Sequence, residues 1–193
     1  MNKYVFLESE YRGMDMRSGW IHHNYYDACS GQAYYDFIDY AFSICDYFML
    51  VYVNYCGKGF PKTMKAFRKA LSPYRVKSRS NPSWPGTLMT YCANTIYRVI
   101  FYRAEEAAKE VLKRVSSISD WCRPAYPQDL AFFKGNICWF ASTAHEHDAM
   151  VLHATPEDIR FLISNGLAKQ ENVKEMTETQ FAYYTQYNEP LET

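Results

Sequence analysis

Between Tyr47 and Ala104 the chain has no aspartate and no glutamate, although the same span carries ten basic residues. These are Lys58, Lys62, Lys65, Arg68, Lys69, Arg75, Lys77, Arg79, Arg98 and Arg103. With no acid inside the block, no local ion pair can form there, so its charge must be met from elsewhere. The flanks lean the other way. Residues 1–46 hold three basic and seven acidic side chains, and residues 105–193 hold eight and fourteen, so totals of 21 and 21 cancel without mixing.

Other absences exclude whole classes of protein. The six cysteines (Cys29, Cys45, Cys56, Cys92, Cys122, Cys138) include no C-x-x-C pair, which argues against a zinc ribbon or a disulfide framework and for reduced thiols. The opening MNKYVFLESEYRG has no apolar segment of the kind a signal peptide needs. The most apolar window, Phe37–Val53, is broken by Asp39 and Asp46 and is too short to span a bilayer. A soluble, cytoplasmic protein with no membrane partner is the expectation. No cofactor is implied by any motif.

What is present is apolar and aromatic: 48% hydrophobic residues, with 18 Tyr, 12 Phe and 4 Trp among 193. A chain of this length folds as one domain and buries about 70% of its unfolded surface, and its aromatics are mainly core residues. Lys3–Glu10 reads as a first strand and Tyr11–Ser30 as a turn-rich segment holding the pair His22-His23. Helical spacing of Ala33, Phe37, Tyr40, Ala41 and Ile44 predicts a helix over Gln32–Cys45. Tyr47–Tyr55 is a near-continuous run of β-formers, as in a strand buried on both faces.

After Pro61, the stripe Phe60, Met64, Phe67 and Leu71 predicts a helix that carries Lys62, Lys65 and Lys69 on another face and stops at Ser72-Pro73. A Pro-rich loop (Ser80–Gly86), a strand near Thr95–Arg103 and a helix over Ala104–Val115 follow, the helix with Glu105–Lys109 and Glu110–Arg114 pairs on its outer face. Asp120–Arg123 reads as a turn with Trp121 in the core. Leu130–Lys134, Ile137–His145 and Ala149–Ala154 are three strands, closed by a helix that Thr155-Pro156 opens and Asn165-Gly166 ends. The pattern predicts an α+β fold: a single compact domain over 1–169, with a mixed or antiparallel sheet and helices mainly on one face. Residues 170–193 are expected to form a peripheral helix or a loosely ordered acidic tail.

The charge map points to an anion-binding face. Its candidate residues are Lys58, Lys62, Lys65, Lys69, Arg75, Lys77, Arg79, Arg98 and, for stacking, Trp84 together with Tyr74 and Tyr91. Gly57-Lys58-Gly59 before a helix start would suit a phosphate, though it lacks the further glycine and the Ser/Thr of a P-loop. The competing account is that the acidic ends fold over the basic middle and neutralise it.

A second candidate is Ala144–Asp148. On a continuing strand His145 and His147 would share a face, as in a two-histidine metal pair with Glu146 nearby; a third ligand would have to come from His22 or His23. With a turn centred on residue 147, His153 falls opposite Ala141, too far along the strand to join them. The segment is not H-E-x-x-H, so the favoured account is a polar hairpin tip in which a histidine pairs with Glu146 or Asp148. Cys56, beside Lys58, is a weaker candidate for an activated thiol.

The sequence therefore predicts a small non-catalytic binding protein of the inhibitor, antagonist or accessory kind. Its ligand would be an anionic molecule or partner: nucleic acid, nucleotide or acidic protein. The alternative is a metal-dependent hydrolase or lyase built on His145, Glu146 and His147.

Overall fold

The computed structural model of the chain describes residues 2–17, 20–54, 59–87 and 94–185, with the backbone alone for 15–17, 20–24 and 184–185. The strands are β1 (Lys3–Phe6), β2 (Ser9–Arg17), β3 (Trp20–Asp27), β4 (Tyr47–Asn54), β5 (Arg75–Ser80), β6 (Ile96–Arg103), β7 (Gln128–Lys134), β8 (Ile137–Thr143), β9 (Asp148–Val151) and β10 (Val173–Glu175). Eight of them make one sheet in the order β10-β1-β9-β8-β7-β4-β6-β5, while β2 and β3 pair as a separate ribbon. Every pairing is antiparallel, which narrows the expected mixed or antiparallel sheet to the second.

Among the described residues the helices are α1 (Gln32–Ile44), α2 (Lys62–Ala70), α3 (Glu106–Leu112), α4 (Pro156–Ser164) and α5 (Glu178–Thr185). None is long and apolar enough to cross a membrane. The start of α4 shows how local sequence fixes an end. The Thr155 hydroxyl accepts from the Asp158 N–H at 3.1 Å, and the Asp158 carboxylate accepts from the Thr155 N–H at 2.8 Å. This reciprocal cap satisfies donors that a bare helix end leaves open.

The sheet sorts its residues by alternation. All six inner residues of β4 are buried. Phe48, Leu50 and Tyr52 join Phe37 and Ile38 of α1, Met64 and Phe67 of α2, Val111 and Leu112 of α3 and Leu162 of α4 in one core. Met49, Val51 and Val53 join Val99, Phe101, Ala131, Phe133 and Trp84 in a second core on the opposite face. Helices α1 to α4 therefore share one face, as the sequence predicts.

Several local expectations are corrected. The turn-rich segment is the β2–β3 ribbon, with a register shift between Tyr11 and Met14. β1 is shorter than Lys3–Glu10, because Phe6 is its last paired residue. Arg75–Ser80 forms a strand where the sequence predicts none, and Val173–Glu175 pairs with β1, so the segment after Lys169 contributes to the sheet. The predicted i,i+4 pairs on α3 do not form. Lys109 instead reaches Glu106 at 2.8 Å and Asp39 of α1 at 3.0 Å, and Lys113 reaches Asp39 at 2.6 Å. Lys109 is thus shared between a carboxylate three residues back on its own helix and one on the adjacent helix. Cys29, Cys45 and Cys138 are buried thiols outside any disulfide, and burial raises their proton affinity. Cys56 and Cys92 lie outside the described residues.

Leu112 is fully buried, and its carbonyl accepts from the Tyr34 hydroxyl at 3.0 Å. Leu112→Ala is expected to lower unfolding free energy by about 2–5 kcal/mol in a urea titration. A change within about 0.5 kcal/mol, as at an ordinary surface position, would contradict this packing.

Candidate functional site

Helix α2 and strand β5 gather the basic middle of the chain. Burial of Met64 and Phe67 fixes how α2 rolls onto the sheet, leaving Lys62, Lys65 and Lys69 exposed and Arg68 half-buried. Arg68 and Lys69 lie in its last turn, where the helix dipole favours cations. Ser72-Pro73-Tyr74 then makes a 3-10 turn that delivers the chain straight into β5. Strand β5 is the sheet edge and pairs with β6 alone.

A bulge in β5 decides which side chains reach the site. Arg75 pairs with Tyr102, whereas Lys77 pairs with Phe101 and Arg79 with Val99, the register shifting between Arg75 and Lys77. Tyr102 belongs to the helix-side core, Phe101 and Val99 to the opposite one. Arg75 therefore sits on the helix face beside α2. Lys77 and Arg79 sit on the other, the Arg79 guanidinium 5.9 Å from the Phe101 ring centre.

Lys65, Arg68, Lys69, Ser72 and Arg75 surround a cavity of about 320 Å³ closed by Ile100 and Tyr102. Four of these seven side chains are cations and none is an acid. Among the described residues, Lys62, Lys65, Arg68, Lys69 and Arg75 make no ion pair. The acids of the flanks go elsewhere: Asp39 to Lys109 and Lys113, Asp158 to Lys134, Glu8 to Lys169. Within the basic block, Arg103 has a carboxylate partner, Glu105. Among the described residues, internal neutralisation thus does not account for the cavity, and like charges brought together raise its affinity for an anion. Behind it, the Tyr102 hydroxyl donates to that of Tyr52 at 3.0 Å. Burial pushes the Tyr102 phenol up to about 12, so at neutral pH the dyad adds no negative charge.

Of the sequence-predicted residues, the fold brings Lys65, Lys69 and Arg75 into the cavity. Lys62 continues the same exposed stripe one turn earlier. Arg98 is opposite Tyr52, on the helix face but outside the cavity lining. Lys58 and Tyr91 lie outside the described residues. Trp84 is corrected: it is 2% exposed, in the second core, and its indole N–H donates to Asp129 at 2.8 Å, so it has no free face for a base. Tyr74 packs half-buried against the helix-side core. Arg68, Ser72 and Tyr102 belong to the cavity but not to the predicted set. For Arg68 the signal was available, since it stands three residues after Lys65 and four before Ser72 and so shares their helix face.

The histidine candidate is also corrected. β8 ends at Thr143, and Ala144–Glu146 is a 3-10 turn followed by His147 at φ 58°. With the strand broken there, the histidines share no strand face. His145 is exposed, 3.7 Å from Glu146, while His147 meets Asp27 at 3.2 Å and stacks on Tyr25 with ring centres 3.7 Å apart. The tip is polar, as the sequence predicts, but the main partner of His147 comes from β3. The turn also changes the register: Ala141 opposes Met150 and not His153. Among the described residues no three His, Cys, Asp or Glu side chains converge as metal ligands, and the side chains of His22 and His23 lie outside them.

Asp129, at φ 53° and fully buried, accepts from the Trp84 indole at 2.8 Å and from the Ala144 N–H at 3.0 Å. Burial pushes its carboxyl up to about 6, against the pull of those two donors. No family model, no curated protein and no solved structure matches the chain.

Two outcomes follow from this end of the sheet. A carboxyl raised in the folded state stabilises fully below its unfolded pKa, and that stability is lost as pH rises through the folded value. Unfolding free energy should therefore fall, by an amount on the order of 3 kcal/mol, between about pH 4 and pH 7 relative to Asp129→Asn, whose own profile lacks this group. Parallel profiles for the two proteins would show that Asp129 is not proton-linked to folding. Separately, His147→Ala is expected to cost about 1–3 kcal/mol through its lost stack and hydrogen bond, and His145→Ala less than about 1 kcal/mol. Equal effects in thermal melts would contradict the asymmetry.

Proposed function

We propose that the protein is a non-catalytic binding protein, of the inhibitor, antagonist or accessory kind, acting in the cytoplasm. Its α2–β5 cavity holds an anionic group of a ligand or partner macromolecule. The observation that carries this reading is the convergence of Lys65, Arg68, Lys69 and Arg75 with no carboxylate in the lining. Lys62 extends the positive stripe beyond the cavity mouth, so a ligand with several charges gains from reaching outward. Burial of Trp84 removes the predicted stacking platform, which favours recognition of phosphate groups by charge over recognition of bases. A phosphate-bearing chain or nucleotide fits best: the two arginines offer planar forks to phosphate oxygens, and the lysines add point charges.

The test uses a fluorescein-labelled oligodeoxythymidylate and, separately, ATP, each titrated into the wild type and into Lys65→Glu/Lys69→Glu. Wild-type affinity for the oligonucleotide should fall steeply as salt rises. The double variant should lose at least about tenfold in affinity at low salt with an unchanged thermal midpoint, because both side chains are exposed and make no ion pair among the described residues. A variant that melts early, or a wild type that binds neither probe, would overturn the proposal.

A further inference from the structure

On the far side of the sheet from the basic edge, between the β7–β8 hairpin, the segment joining β9 to α4, and α5, lies a second cavity of about 380 Å³. It shares no residue with the α2–β5 site. Trp139 lines it and is 1% exposed, yet its indole N–H has no acceptor. His153 lines it too, held at φ 53°, and its Nε2 is buried without a partner. A buried donor left unpaired costs about 1–3 kcal/mol, so two unpartnered nitrogens on one cavity call for a physical cause.

The other walls say what would satisfy them. Lys134 places its Nζ 5.0 Å from the Trp139 ring centre and 3.6 Å from Asp158, a distance too long for a hydrogen bond. The oxygens of Asp158 are already occupied by the Thr155 N–H, the Thr155 hydroxyl and the Tyr40 hydroxyl, each at 2.8 Å. Lys134 thus keeps hydrogens to give. Ile137 and Phe181, 47% and 39% exposed, supply an apolar rim, and Phe181 meets the His153 ring edge-on with centres 5.5 Å apart. Donors inside and hydrocarbon at the mouth are the arrangement of a small-molecule site.

We propose that this cavity binds a small carboxylic acid with an apolar or aromatic body. Its carboxylate accepts from the Trp139 indole N–H and the Lys134 ammonium, and its body lies between Ile137 and Phe181. An oxygen acceptor answers the indole donor, and a second one takes the hydrogens that Lys134, though ion-paired with Asp158, does not donate. Burial lowers the proton affinity of His153, so at neutral pH the ring is uncharged and can turn either tautomer toward the ligand.

The experiment records two-dimensional spectra of the full chain with ¹⁵N-labelled tryptophan, the Trp139 indole signal being assigned by its loss in Trp139→Phe. Phenylacetate, indole-3-acetate, benzoate and isovalerate are titrated in turn, with phenylacetamide as the uncharged control. The expected result is a saturable shift of the Trp139 indole resonance by at least one of the acids, with the other indole signals unmoved. For phenylacetate, or for the matching amide of whichever acid binds, affinity should fall at least about tenfold without the charge. Lys134→Met keeps the apolar stem, removes the ammonium, and should weaken the acid by a similar factor. If no acid moves the Trp139 signal, or the amide binds as well as the acid in the wild-type protein, the proposal fails. The amide comparison needs no substitution, so it holds even if Lys134→Met melts early.

Discussion

The central strands of the sheet are buried on both faces, and that constraint governs where every charge in the middle of the chain can go. β4 has apolar or tyrosine side chains at all six inner positions, and β6, β7 and β8 are nearly as closed. A cation placed there would lose its hydration with no partner at hand. The described basic residues of the middle block are therefore confined to the outer faces of α2, the edge strand β5 and the strand β6 toward its ends. Their clustering is in part a result of exclusion from the core. Asp129 is the exception that shows the rule, because this buried carboxylate is held by a donor on each oxygen.

Much of the architecture was legible because it depends on burial, and burial leaves a periodic trace. The stripe of Met64, Phe67 and Leu71, the apolar run of β4 and the Thr155 cap are each local statements that the fold obeys. What could not be read depends on a neighbour. Arg75–Ser80 is charged at alternate positions with little to bury, and it is a strand because β6 offers a ladder of hydrogen bonds. Val173–Glu175, three residues long, is a strand only beside β1. The β2–β3 ribbon lies apart from the main sheet, and its glycines and polar residues read equally well as turns.

The site divides along the same line. That Lys65 and Lys69 stand on one exposed face follows from helical spacing alone. That Arg75 joins them while Lys77 and Arg79 do not rests on one bulge, since a shift of a single residue exchanges the faces of a strand. Trp84 misled for a related reason. Among prolines and serines it looks solvent-facing, but its indole N–H has a buried carboxylate to meet from 45 positions away in the chain. The two-histidine alternative needed a strand that continues through the tip, and a 3-10 turn stands in its place.

The place of β1 bears on how the protein is made. Lys3–Phe6 is synthesised well over a hundred residues before its strand partners, Asp148–Val151 and Val173–Glu175. At ribosomal rates of about 5–20 residues per second, the segment waits on the order of ten to thirty seconds before both neighbours exist. Until residues 148–151 are made, Tyr4 and Val5 have no strand to pair with, and until residues 173–175 follow, the other edge of β1 stays bare. The order of strands thus leaves this side of the sheet to close only once residues 173–175 are made, and a nascent chain interrupted before residue 173 carries an open edge on β1 that β10 otherwise covers.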